Sequence, residues 1–160
     1  MAKLPLTVRV VAVGKLRGSS FAAAAQDYLE RLRHFLDVEM IEVKDRVGKG
    51  KSDPQAIVEE GQALLKATHG SPRIVALALQ GEEYTSEDFA RLLQSFVESG
   101  VRRVDFVVGG PVGLADEVMK AAHLRLALST MTLPHELARV VLLEQIYRGC
   151  TILAGTKYHK

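Results

Sequence analysis

Apolar positions along the chain fall into two alternating patterns. Short β-branched runs read as strands: "LTVRVVAVGK", with its strand at about Thr7 to Val13, then "VEMIEVK", "RIVALAL", "RVDFVVGG" and "LRLALS". Between them lie segments with helical spacing. "SSFAAAAQDYLERLRHF" predicts a helix capped by Ser19 or Ser20. "DPQAIVEEGQALLKATHG" predicts a helix with Asp53 as its cap, Pro54 at the first helical position and Gly70 beyond its end. "TSEDFARLLQSFVESG" opens with Thr85 three residues before Asp88, close to a capping box, and Gly100 stops it. "ADEVMKAA" is a short helix, and a final helix runs from about His135 to Leu153.

Strands and helices thus alternate five times. That order predicts an α/β fold: a mostly parallel sheet flanked by helices on both sides. There is no internal repeat, low-complexity segment or linker, so residues 1–160 read as a single domain. That length suffices for a sizeable core. With 48% apolar and 25% charged residues the composition is that of an ordinary soluble protein. No apolar run approaches the ~18 residues of a membrane span, and the opening segment reads as a strand rather than a signal peptide. The one cysteine, Cys150, excludes an internal disulfide, fits a reducing cytoplasm and reads as a packed helix residue. The five histidines, His34, His69, His123, His135 and His159, show no metal-ligand spacing.

The net charge of +2 says little, but its distribution says more. Lys44, Arg46, Lys49 and Lys51 share a glycine-containing loop, and Lys157, His159 and Lys160 lie in the final segment. Cations on such segments suit phosphate, although a solvated loop and a frayed tail have the same composition. In open parallel sheets ligands sit beyond the carboxyl ends of strands. Three ends qualify: Leu77 to Gly81, Val108 to Pro111, and Leu128 to Thr130. "VVGGPVGL" places Gly109, Gly110 and Gly113 where backbone can approach a ligand, or can simply turn. It is neither G-x-G-x-x-G nor a P-loop. "LSTMTLPH" offers hydroxyls and backbone groups, suited to a nucleoside-like ligand or to capping the last helix. Ser129 with His135 lacks the G-x-S-x-G elbow and the orienting acid of a hydrolase.

The last helix poses a question of its own. Leu137, Val141, Glu144 and Arg148 share one stripe, and Glu144 precedes Arg148 by four residues. Exposed, such a pair contributes only ~0.3–0.5 kcal/mol. Buried, it requires further hydrogen bonds to be tolerated. A reactive site and an oligomer interface both fit, and they coincide if the site lies at the interface.

Taken together, "LQG", "FVVGGPVGL", "LSTMTLPHELARVVLLEQIYR" and the ending "YHK" resemble the RlmH-type family of SPOUT-class ribosomal RNA methyltransferases, over essentially the whole chain. The resemblance implies a sheet whose C-terminal part is threaded as a trefoil knot, a homodimer, and S-adenosyl-L-methionine as cofactor. It implies cofactor contacts from Leu77, Gly109, Leu128, Ser129, Thr130, Met131, Thr132 and Leu133. It further implies methylation of N3 of a pseudouridine in 23S rRNA, with the assembled ribosome as substrate. Glu144, Arg148 and His135 would carry the chemistry, and Tyr158, His159 and Lys160 would bind RNA. The rival expectation is a non-catalytic, ribosome-associated RNA-binding module, which the basic loop and tail fit equally well.

Overall fold

The computed structural model describes residues 2–16 and 20–158. The expected cap Ser19 and the expected RNA-binding His159 and Lys160 lie outside the described residues. Five strands, β1 (Thr7–Val13), β2 (Asp37–Val43), β3 (Ile74–Glu83), β4 (Arg103–Val108) and β5 (Leu124–Ala127), alternate with five helices. These are α1 (Ser20–Leu32), α2 (Asp53–Ala67), α3 (Ser86–Glu98), α4 (Asp116–Ala121) and α5 (His135–Ala154). All strand pairs are parallel, in the order β2-β1-β4-β3-β5. The expected α/β architecture is therefore the observed one.

The unbroken apolar second halves of β1, Val10 to Val13, and of β4, Phe106 to Val108, follow from burial on both faces. Val8, Val10 and Ala12 of β1, with Val104, Phe106 and Val108 of β4, join the larger core under α1, α3 and α5. Val11 and Val13, with Val107, turn to the smaller core formed with Leu64, Ala115 and Val118 on the α2–α4 side. Strand side chains alternate between faces, so one β-branched run serves two cores.

Several boundaries differ from expectation for local reasons. Ser52, not Asp53, caps α2: its Oγ accepts the Gln55 N–H, and Gln55 Oε1 accepts the Ser52 N–H at 3.1 Å. This reciprocal box outweighs the bare presence of an aspartate and shifts Pro54 to the second helical position. At α3 Thr85 Oγ1 accepts the Asp88 N–H at 3.0 Å, as expected. Helix α1 stops at Leu32 rather than near Phe35, because the Leu32 carbonyl accepts both the Phe35 and the Leu36 N–H. That tightening drops Leu36 into the core, fully buried. Strand β3 continues past Leu79 to Glu83 through a register shift in which Leu77 and Glu82 both pair with Leu126. Among the described residues no helix is long and apolar enough to cross a membrane.

Candidate active site

The order β4-β3-β5 sets the three singled-out strand ends side by side. Between them opens a cleft of about 170 Å³. Its shape depends on residues without side chains at two points. After β4 the chain turns back on itself, with the Gly113 N–H donating to the Gly110 carbonyl at 3.0 Å and Gly113 at φ +84°. A Cβ on Gly109 would stand 2.8 Å from the Gly113 backbone, closer than side-chain atoms ever come. At the β3 irregularity a Cβ on Gly81 would stand 2.7 Å from the Arg125 backbone. That close approach lets residues 78–81 bulge, and Ala78 and Leu79 face the cleft.

The third wall is the hydroxyl-rich loop. Ser129 Oγ accepts the Met131 N–H at 2.9 Å, folding the loop over the opening, where Met131 is 74% exposed. Leu128, Ser129, Met131, Thr132 and Leu133 line the cleft with Leu77 and Gly109, so seven of the eight expected cofactor contacts face it. Thr130 is not among the lining residues. His135, the first residue of α5, does line it.

The start of α5 is held by Arg139, which sequence reasoning passed over. Its guanidinium is 1% exposed. It donates to the Val13 and Gly14 carbonyls at 3.0 and 3.1 Å and pairs with Glu42 at 2.7 Å. Burial holds its pKa below the ordinary arginine value even with Glu42 beside it. An arginine within the otherwise apolar "LARVVLL" was the available signal. Leu114, Leu126 and Ala138 also line the cleft, and being apolar they carried none.

Glu144, Arg148 and Tyr158 gather elsewhere. The Glu144 carboxylate accepts from Arg148 at 2.6 and 2.9 Å, from Gln145 Nε2 at 2.6 Å and from the Tyr158 hydroxyl at 3.3 Å. The expected ion pair is thus partly buried, at 16% exposure for Glu144 and 24% for Arg148. The hydrogen bond to Glu144 raises the Arg148 pKa. Tyr158 packs edge-on against Tyr147, 4.7 Å between centroids, with Arg148 5.0 Å from its ring centre. Burial, with hydrogen bonding to Tyr28 and the charge of Glu144, pushes its hydroxyl up to about 12. Nine residues separate Glu144 from His135. At ~1.5 Å and ~100° per residue this is about 13 Å along α5 and half a turn around it. Within one chain, then, His135 faces the cleft and Glu144 does not. Gln145 and Val141 line a smaller cavity of about 110 Å³ that shares Leu126 and Leu128 with the cleft. Among the described residues no group of three or more His, Cys, Asp or Glu could hold a metal ion.

Comparison with known proteins adds the following. A family model described as "Predicted SPOUT methyltransferase" matches residues 6–159. The protein named Ribosomal RNA large subunit methyltransferase H from Rubrobacter xylanophilus is 46% identical over 156 residues, covering 94% of this chain and 96% of its own. The protein of the same name from Oenococcus oeni is 38% identical over 159 residues, covering 97% and 99%. Among solved structures, a probable methyltransferase from Bordetella pertussis aligns with TM-score 0.57 at 14% identity, covering 92% of this chain and 98% of its own. A probable methylase family protein from Haemophilus influenzae aligns with TM-score 0.57 at 13% identity, covering 98% and 71%. At these identities the two structures attest to the fold alone.

Proposed function

The chain belongs to the SPOUT methyltransferase family, and from that premise we propose that it methylates N3 of a pseudouridine in 23S rRNA, acting on assembled ribosomes in the cytoplasm. In this reading residues 1–160 act as one methyltransferase domain, with the C-terminal part threaded as a trefoil knot. The reading draws support from relatives named for ribosomal RNA large subunit methylation along their whole length. The single observation that carries it is the cleft, where three strand ends bring a glycine turn, a hydroxyl-rich loop and His135 together.

The residues present fit S-adenosyl-L-methionine. Gly109, Gly110 and Gly113 present bare backbone to the cleft, apolar Leu77, Leu126 and Leu128 suit an adenine ring, and Ser129 and Thr132 suit its ribose. When bound, that group supplies a methyl already activated on a sulfonium. The protein's remaining tasks are to orient the acceptor nitrogen and to take its proton. His135 stands in the cleft for proton transfer. Glu144 is a second acceptor, and Arg148 stabilises charge developing on the base carbonyls. Because these two face away from their own cleft, this role requires a homodimer in which one copy offers its Glu144–Arg148–Tyr158 cluster to the cleft of the other. Tyr158, His159 and Lys160 then contact RNA, the tyrosine by stacking.

The test separates chemistry from cofactor binding. Glu144→Gln and Arg148→Met are incubated with ribosomes and labelled cofactor, and rRNA fragments are weighed by mass spectrometry. Methylation is expected to fall by about 10²-fold or more in each, while cofactor affinity by calorimetry holds. Wild-type methylation rates in both variants would remove these residues from the mechanism.

A further inference from the structure

Beneath the glycine turn lies a buried carboxylate to which the mechanism above gives no role. Glu60 of α2 is 1% exposed. Its Oε2 accepts the backbone N–H of Arg46 at 2.9 Å, at the root of the basic loop. Its Oε1 has no hydrogen-bond partner and lies 3.7 Å from where a Cβ on Gly110 would be. The next residue, Gly61, packs so closely that a Cβ there would stand 2.7 Å from Ala115 Cβ, just beyond the turn. One dipeptide of α2 therefore supports the glycine turn, and one side chain within it also holds the loop.

The loop carries a second unpaired group. Arg46 Nε is buried without a partner. A donor on Arg46 and an acceptor on Glu60 are the two halves of an ion pair that the present loop conformation leaves unmade. The root of the loop is otherwise fixed, with Asp45 Oδ1 accepting the Val47 N–H at 2.9 Å, while its tip turns at Gly48 and Gly50, both at positive φ. Buried polar groups are nearly always satisfied, and a neutral or apolar residue would serve packing as well as Glu60 does. Glu60 keeps an unused acceptor beside Asp45, and Arg46 an unused donor near Glu59, so the cluster has a second way to pair its charges.

We propose that Glu60 is a positioning residue that couples the basic loop to the glycine turn. Phosphate engaged by Lys49, and by Lys51 as it leaves its ion pair with Glu59, shifts the loop, Arg46 pairs with Glu60, and the turn above Glu60 closes on the adenosyl ligand. RNA and cofactor thereby raise each other's affinity by the same factor, as thermodynamic linkage requires. The inference rests on the reading of the cleft as the cofactor site and the loop as RNA-facing.

The experiment measures binding of labelled S-adenosylhomocysteine, which cannot react, with and without ribosomes. For the wild type the dissociation constant is expected to fall about fivefold or more on adding ribosomes. In Glu60→Gln, which keeps the acceptor for Arg46 N–H but cannot form the ion pair, that ratio falls towards one. A melting temperature at or above wild type shows that the variant is folded, and a merely structural role for Glu60 would leave the ratio unchanged. An unchanged ratio in Glu60→Gln, or a ratio of one in the wild type, overturns the coupling while leaving the cofactor reading intact. Failure of the wild type to bind the probe at all overturns both.

Discussion

In the amino half of the sheet Arg9 and Asp105 stand opposite each other on β1 and β4 and pair through two hydrogen bonds of 2.8 Å. A third Arg9 bond reaches the Ala67 carbonyl at 2.6 Å, and Arg103 Nε lies 3.4 Å from the same carboxylate, an ion pair without a hydrogen bond. Nearby, His123 completes the edge of β3, its Nδ1 accepting the Ile74 N–H and its own N–H donating to the Ile74 carbonyl. At the carboxyl end buried charge is less fully matched. Arg139 binds two carbonyls and Glu42 but keeps Nε unpaired, and Arg46 Nε and Glu60 Oε1 are unpaired too. Both ends hold buried ions in similar packing. Among the described residues the amino end leaves one buried donor over, Arg103 Nε, whereas the carboxyl end leaves three buried atoms over, beside a cleft. On the proposed reading, that difference separates a charge kept for folding from charges kept for binding.

The largest test of that contrast is Asp105→Ala. It removes a fully buried carboxylate and leaves two arginines beside it without their counter-ion. Breaking a buried pair from one side costs about 3–5 kcal/mol, so the urea midpoint should drop steeply. Cofactor affinity of the molecules that remain folded should hold. Arg139→Met at the other end reverses the pattern. Glu42 is 29% exposed and is rehydrated when its partner is lost, so the stability loss is smaller. The first turn of α5, bearing His135, loses its strut, and cofactor affinity falls. If both variants lose stability and affinity in the same proportion, the two ends are not specialised.

Glycines sharpen the comparison at lower cost. Gly70, beyond α2, has φ +77° and open space around it, so an alanine there incurs only the left-handed backbone penalty of about 1–2 kcal/mol. Gly109→Ala meets the Gly113 backbone at 2.8 Å. The resulting overpacking costs about 1–3 kcal/mol, a similar thermal shift. The two part on binding: calorimetry should show unchanged cofactor affinity for Gly70→Ala and at least a tenfold loss for Gly109→Ala.

The same division marks what was legible in the sequence. The strands and helices were readable because local periodicity, glycine stops and hydroxyl caps each act within a few residues. Strand β1 falls at Thr7–Val13 as expected. The three strand ends were legible because burial on both faces and terminal glycines leave a local mark. The cap at Ser52 was also legible, since Gln55 stands three residues on, but the adjacent Asp53 offered a competing cap signal. Arg139 was missed because its partners, Val13, Gly14 and Glu42, lie about a hundred residues away. The sequence put Glu144 and Arg148 on one stripe, about half a turn from His135, but could not tell which of the two faces meets the cleft. Glu60 looked like any acid in "VEEG", and only tertiary packing buries it.

The smallest effect falls on pH. Burial, followed by the nearby Asp45 carboxylate, raises the Glu60 pKa above its ordinary 4.5, and the Arg46 and Val47 N–H groups only partly oppose this. The folded state therefore holds this proton more tightly than the unfolded chain does. The stability it contributes is fully present below about pH 4.5, where both states are protonated, and is lost as pH rises through the folded pKa. Glu60→Gln cannot titrate, so its stability relative to wild type should grow as pH is raised from 4.5 towards neutrality and then level off. Asp105→Asn supplies the opposing control, because it removes a paired carboxylate rather than an orphan and should destabilise at neutral pH. Parallel urea-unfolding curves for wild type and Glu60→Gln across that range would mean that Glu60 is matched after all, and the two ends of the sheet would then treat buried charge alike.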